Sequence, residues 1–119
     1  MEETKTLVDS IVEGIQEKKG RRIRVADLDG VGDTICRYLV ICEGNTPTQV
    51  AAICDSVEDM AHKRAGEKPV RIAGQNNSIW IAMDYADVMV HIFMPEAREF
   101  YDIDHLWDDA EVTEIPDLD

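Results

Sequence analysis

The sequence has no apolar run near the roughly 18 residues a membrane-crossing helix requires, so no membrane span is expected. Its N-terminus, Met1-Glu2-Glu3-Thr4-Lys5, has no apolar signal-peptide core, and a cytoplasmic location is the expectation. Cysteine is sparse: Cys36, Cys42 and Cys54 cannot all pair, and none forms a CxxC. All three lie in apolar stretches, which reads as reduced core residues, neither a zinc site nor a disulfide set. Basic residues are few, 12 against 25 acidic ones, for a formal net charge of -13. Such a surface repels phosphate backbones, so little direct nucleic-acid contact is expected. It favours basic partners, and it also serves plain solubility. No Gly-Ser pair, internal repeat or second domain is present.

What remains is one domain with a modest core. Leu7, Val8, Ile11, Val12 and Ile15 are spaced for an amphipathic helix over residues 3–19, with Gly20 placed to end it. Ile23–Leu28 predicts a strand and Asp29–Asp33 a loop. Ile35–Cys42, apolar apart from Arg37, predicts a central strand buried on both faces. Thr46 and Pro47 have the pattern of an N-cap and first helical residue, before a helix carrying Val50, Ile53, Val57 and Met60 to about Gly66. Val70–Ala73 predicts a third strand, and Pro95 opens a short helix through Tyr101. The expected architecture is a single-domain α/β fold, a mixed five-stranded sheet with helices packed on one main face. It spans residues 1–110, and residues 111–119 form a loose acidic tail.

The two runs Ile79–Asp84 and Asp87–Phe93 read as a hairpin around a Tyr85-Ala86 loop. That register places Asp84 opposite Asp87, Ala82 opposite Met89 and Trp80 opposite His91. One face, Ile79, Ile81, Met83, Val88, Val90 and Ile92, is aliphatic and must pack on the helices. The other holds Trp80, Met89, His91 and Phe93, edged by Asp84 and Asp87. Two readings of it stay open: an exposed patch that wants a partner, or a second core layer covered by the C-terminal helix and Trp107.

The stretch Asp84-Tyr85-Ala86-Asp87-Val88-Met89-Val90-His91-Ile92-Phe93 resembles the signature of the ribosomal silencing factor (RsfS, Iojap-like) family. Pro95-Glu96, Arg98, Phe100-Tyr101-Asp102 and Leu106-Trp107 follow at the family's spacings, and Tyr38–Cys42 with Gly44-Asn45-Thr46 matches upstream. The resemblance covers about Gly20 to Ala110. Three positions depart from it: Ala86 replaces a glycine, Arg37 an aspartate and Ala73 a glutamate. An alanine at position 86 is strained if the turn there needs a positive φ.

The resemblance implies a nucleotidyltransferase-like fold without transferase activity or cofactor. It implies binding to the large ribosomal subunit through its basic fourteenth protein, blocking the small subunit and repressing translation when nutrients are scarce. On that reading Trp80, Met89, His91 and Phe93 supply the contact face. Asp84, Asp87 and Glu96 pair with basic groups, and Tyr85 at the loop tip, Arg98 and Tyr101 add hydrogen bonds. Arg98 is equally suited to an internal salt bridge, His91 to a satisfied sheet histidine, and Trp107 to a core plug. A large-subunit assembly factor could use the same face, as could a second copy of the chain.

An enzyme reading has one foothold, the Asp27-Leu28-Asp29 pair, whose carboxylates could hold Mg²⁺ for nucleotidyl transfer. The missing Gly-Ser phosphate-binding turn argues against it. Gly30-Val31-Gly32 lacks the third glycine of a dinucleotide fingerprint. His62, His91 and His105 have no metal-ligand spacing, so neither a catalytic nor a metal site is expected.

Overall fold

The computed structural model describes residues 2–29, 36–107 and 110–118, without the side chains of Glu2, Leu106 and Trp107. The expected loop through Gly30–Asp33 and the expected core role of Trp107 fall outside the described residues and side chains. The first amphipathic stripe forms helix α1 (Glu2–Glu17), with Leu7, Val8, Ile11 and Ile15 buried. Its end differs from expectation. Lys19, not Gly20, takes the left-handed conformation (φ +58°), and the Gly20 N–H donates to the Ile15 carbonyl at 2.9 Å. Helix α2 (Pro47–Ala65) begins and ends as its sequence dictates. The Thr46 hydroxyl accepts the Gln49 N–H at 3.0 Å, and Gly66 closes the helix at φ +67°. Val50, Ile53, Cys54, Val57 and Ala61 are its buried face, and Met60 lies at the edge.

The helices cross at Gly14, whose carbonyl accepts the Ser56 hydroxyl at 2.7 Å. A Cβ on Gly14 would lie 2.9 Å from the Val57 Cα, an approach that only a residue without a side chain permits.

Six strands form the sheet: β1 (Arg21–Asp27), β2 (Tyr38–Glu43), β3 (Arg71–Ala73), β4 (Trp80–Asp84), β5 (Val88–Phe93) and β6 (Glu111–Ile115). Their order is β3-β4-β5-β2-β1-β6. β2 and β5 run parallel and the other neighbours antiparallel. β2 is internal and its residues Leu39–Glu43 are buried, as an almost wholly apolar run requires.

The expected five strands become six because Glu111–Ile115 is a strand and not a loose tail. Its acidic composition hid a complementary partner. β1 carries Arg21, Arg22 and Arg24, and Arg24 lies directly opposite Glu114. Beyond the strand, Asp117 accepts the Arg22 N–H at 2.8 Å and lies 3.6 Å from the Arg21 guanidinium. Ile115 packs against the helix-side core and Val112 against the core on the opposite face.

The expectation that helices cover one main face holds for α1 and α2, which bury Val40, Cys42, Ile81, Met83, Val88, Val90 and Ile92. The short helix α3 (Pro95–Tyr101) and the 3₁₀ turn Ile103–Trp107 lie on the opposite face. There Ala97 and Ile103 close over Leu28, Leu39, Ile41 and Phe93. The sheet therefore has two core layers, and the second covers only part of its face.

Candidate protein-docking surface

From Trp80 onward the hairpin keeps the predicted faces but shifts its register. Trp80 pairs with Phe93, Ala82 with His91 and Asp84 with Met89. Strand pairing continues through Tyr85, whose N–H donates to the Val88 carbonyl at 2.9 Å, so the tip is Ala86-Asp87. The shift follows from Tyr85 itself. It extends the Ile81, Met83 alternation and buries its ring on the helix side. Tyr85 is 4% exposed, so it is a core residue and not a loop-tip contact. Burial raises its phenol above the ordinary range, and its hydroxyl finds no hydrogen-bond partner among the described residues.

The tip closes tightly around Ala86, at φ +71°. The Asp87 N–H donates to the Tyr85 carbonyl at 2.9 Å, and Asp84 Oδ1 accepts the Ala86 N–H at 2.8 Å. This i to i+2 bond with positive φ is the strained form of γ-turn. The departure from glycine therefore falls where a side chain is least comfortable.

On the second face, burial differs from residue to residue. Phe93 is fully buried in the second core layer. Met89 and His91 are half-buried, and Trp80 lies half-buried over Phe93, stacked at 4.9 Å between centroids and 23° between planes. Trp80 Nε1 donates to His91 Nδ1 at 2.9 Å. That bond needs a neutral imidazole with its proton on Nε2. Burial favours the neutral ring, lowering its pKa to about 4. His91 is thus the satisfied sheet histidine that orients the indole.

Tyr101, 51% exposed, leans on Trp80 with centroids 4.6 Å apart. Phe100 stands edge-on to Tyr101 at 5.0 Å and is 80% exposed. The rings form a ladder from the core to solvent: Phe93, Trp80, Tyr101, Phe100. Ile79, expected on the aliphatic face, precedes β4 and is 44% exposed, outside the aliphatic core; its carbonyl accepts the Met94 N–H beside the start of α3. Phe100 was not singled out from sequence. Its signal was a large apolar residue four positions after the exposed Glu96 on one face of a short helix.

Exposed carboxylates share the short helix with the outer rings (Glu96 and Glu99, with Asp102 at its C-cap), whereas Asp84 and Asp87 stand at the far end of the hairpin. Asp87, Glu96, Glu99 and Asp102 are exposed, while Asp84 is half-buried and partly engaged by the turn. Arg98 is not available as a contact. It is 3% exposed and bridges both oxygens of Asp104, the internal salt bridge that the sequence left as an alternative.

Asp27 and Asp29 do not present an open pair of carboxylates. Arg37 spans them, its Nε 3.2 Å from Asp27 and its Nη2 3.8 Å from Asp29. The Asp27 carboxyl is held below its usual range, first by the Asp29 backbone N–H and then by Arg37. Among the described residues no group of three or more His, Cys, Asp or Glu is arranged to hold a metal ion, and no helix is long and apolar enough to cross a membrane.

Fold and surface together define a class: an acidic α/β domain with exposed aromatic rings on a short helix packed over one face of its sheet. The whole chain, residues 1–119, matches the family described as ribosomal silencing factor during starvation, and the chain belongs to that family. It is 33% identical over 101 residues to the ribosomal silencing factor RsfS of Haemophilus influenzae, covering 85% of this chain and 97% of that protein. It is 28% identical over 111 residues to RsfS of Bacillus subtilis, covering 93% and 92%. A crystal structure of a Chromobacterium violaceum protein superposes with a TM-score of 0.80 at 28% identity, covering 87% of this chain and 84% of that one. The resemblance read from the hairpin and α3 is thereby borne out.

Proposed function

We propose that this protein is a cytoplasmic, non-catalytic factor that docks on the large ribosomal subunit and blocks joining of the small one when nutrients are scarce. Its receptor on this reading is the subunit's basic fourteenth protein. The observation that carries the proposal is the ladder running from half-buried Trp80 to exposed Tyr101 and Phe100, on a short helix that also bears exposed Glu96 and Glu99, in a member of this family. Aromatic rings supply apolar area at the centre of an interface, and charged groups at the edge steer and register a partner of opposite sign. The net charge of -13 suits a basic protein and opposes a broad RNA contact. We read the scaffold as nucleotidyltransferase-like but used without that chemistry, a reading supported by the Arg37 bridge across Asp27 and Asp29.

The test is co-sedimentation with separated small and large subunits and with joined ribosomes. Binding to free large subunits, with fewer joined ribosomes formed, is the expected result. Large-subunit binding without an effect on joining turns the reading into an assembly factor. Absence from every particle, with concentration-dependent dimers in light scattering, assigns the patch to a second copy of the chain.

A further inference from the structure

We infer that Arg98 and Asp104 form a clamp that holds Phe100 and Tyr101 in their docking position, so that Arg98 is a positioning residue and not a contact. The inference rests on the docking reading above. Helix α3 has only seven residues, too few to be helical unaided, and no side chain caps its start. Phe100 is mostly in water, so its own contacts do little to fix it.

The ties lie beneath the rings. Arg98 Nε and Nη2 donate to the two oxygens of Asp104 at 3.1 and 2.9 Å, and its Nη1 donates to the Arg22 carbonyl at 2.7 Å. Asp104 Oδ1 also accepts Arg24 Nη1 at 2.9 Å. One half-buried carboxylate thus joins α3, the 3₁₀ turn and β1. Between the clamp residues, Asp102 takes φ +52° and donates its N–H to the Arg98 carbonyl at 2.9 Å, fixing the corner on which the rings stand. Arg22 lies in the irregularity of the β1–β2 pairing between Arg21 and Arg24, also at positive φ. A planar guanidinium can satisfy a bidentate carboxylate and a third acceptor together, whereas an ammonium cannot match that geometry.

The test uses the full chain with Asp104→Asn and Arg98→Lys. Three quantities are measured: NMR cross-peaks between the Trp80 and Tyr101 rings, the urea unfolding midpoint, and large-subunit affinity by co-sedimentation. The expected result is a folded protein with weakened ring cross-peaks and affinity lowered about tenfold. Gly14→Ala, which destabilises the molecule at a remote helix crossing, should keep both the cross-peaks and the affinity. Unchanged cross-peaks and affinity in the two clamp variants overturn the clamp, as does an equal loss in Gly14→Ala. If Asp104→Asn does not fold, Arg24→Gln removes one bond to Asp104 and leaves Arg98 paired. A two- to threefold loss (roughly 0.5 kcal/mol) supports the clamp there, and none overturns it. If the unaltered protein binds no large subunit, the docking reading fails, and the ring cross-peaks alone still decide the clamp.

Discussion

Gly14 and Val57 meet backbone to backbone where α1 crosses α2, with room for a hydrogen but not for a methyl group. Gly14→Ala raises helix propensity by about 1 kcal/mol, but pushing the helices apart costs about 1–3 kcal/mol. Overpacking wins, and a net loss of about 1 kcal/mol is expected in urea unfolding. A gain in stability would show that the crossing can slide.

Tyr85→Phe removes a buried hydroxyl that has no partner among the described residues. Deleting such an orphan is expected to leave stability unchanged or raise it by about 1 kcal/mol. Large-subunit binding should be unaltered. A loss of binding would return Tyr85 to the contact surface despite its burial.

Ala86→Gly relieves a positive φ that disfavours any side chain. The strain of about 1 kcal/mol exceeds glycine's added entropy in the unfolded chain, so thermal unfolding should shift upward. An unchanged or lower midpoint would show that the alanine is relaxed at the tip.

His91 is held neutral by burial, with its pKa lowered to about 4. Between that value and the ordinary value near 6.5, the unfolded chain binds a proton that the folded chain refuses. Stability is therefore intact above about pH 6.5 and falls as the pH drops towards 4. His91→Gln, whose amide oxygen can still accept the Trp80 N–H, should flatten this part of the profile. An identical pH dependence in the variant would show that His91 contributes no linkage.

Phe100→Ala and Trp80→Ala should separate binding from stability. Phe100 is exposed, so its loss should reduce large-subunit affinity while leaving the unfolding midpoint within error. Trp80 stacks on buried Phe93, so its loss should reduce affinity and also cost about 2 kcal/mol of stability. Unchanged binding by both variants would remove the ladder from the interface.

Signals written within one element were legible in the sequence: the stripe of α1, the Thr46 cap, the buried run of β2, and the alternating faces of the hairpin. Pairings between distant segments were not. Residues 111–115 look disordered alone and form a strand along β1, with Glu114 opposite Arg24. The hairpin register depended on whether Tyr85 pointed into the core or into solvent, which a turn signal by itself does not decide. Arg98 had the same charge whether it faced a partner or Asp104, and only the fold placed the acceptor. Phe100 was visible in the family pattern, but its exposure came from the short helix that carries it.

The β1–β6 seam joins segments far apart along the chain, with Arg22 and Asp117 separated by 95 residues. Closing so long a loop has an entropic cost that local pairs such as the β4–β5 hairpin avoid. During synthesis β1 has an open edge until residues 111–115 are made, and an open edge is a template for pairing with other chains. On that edge Arg24 stands opposite Glu114, so an attraction between unlike charges helps to set the register of the last strand to arrive.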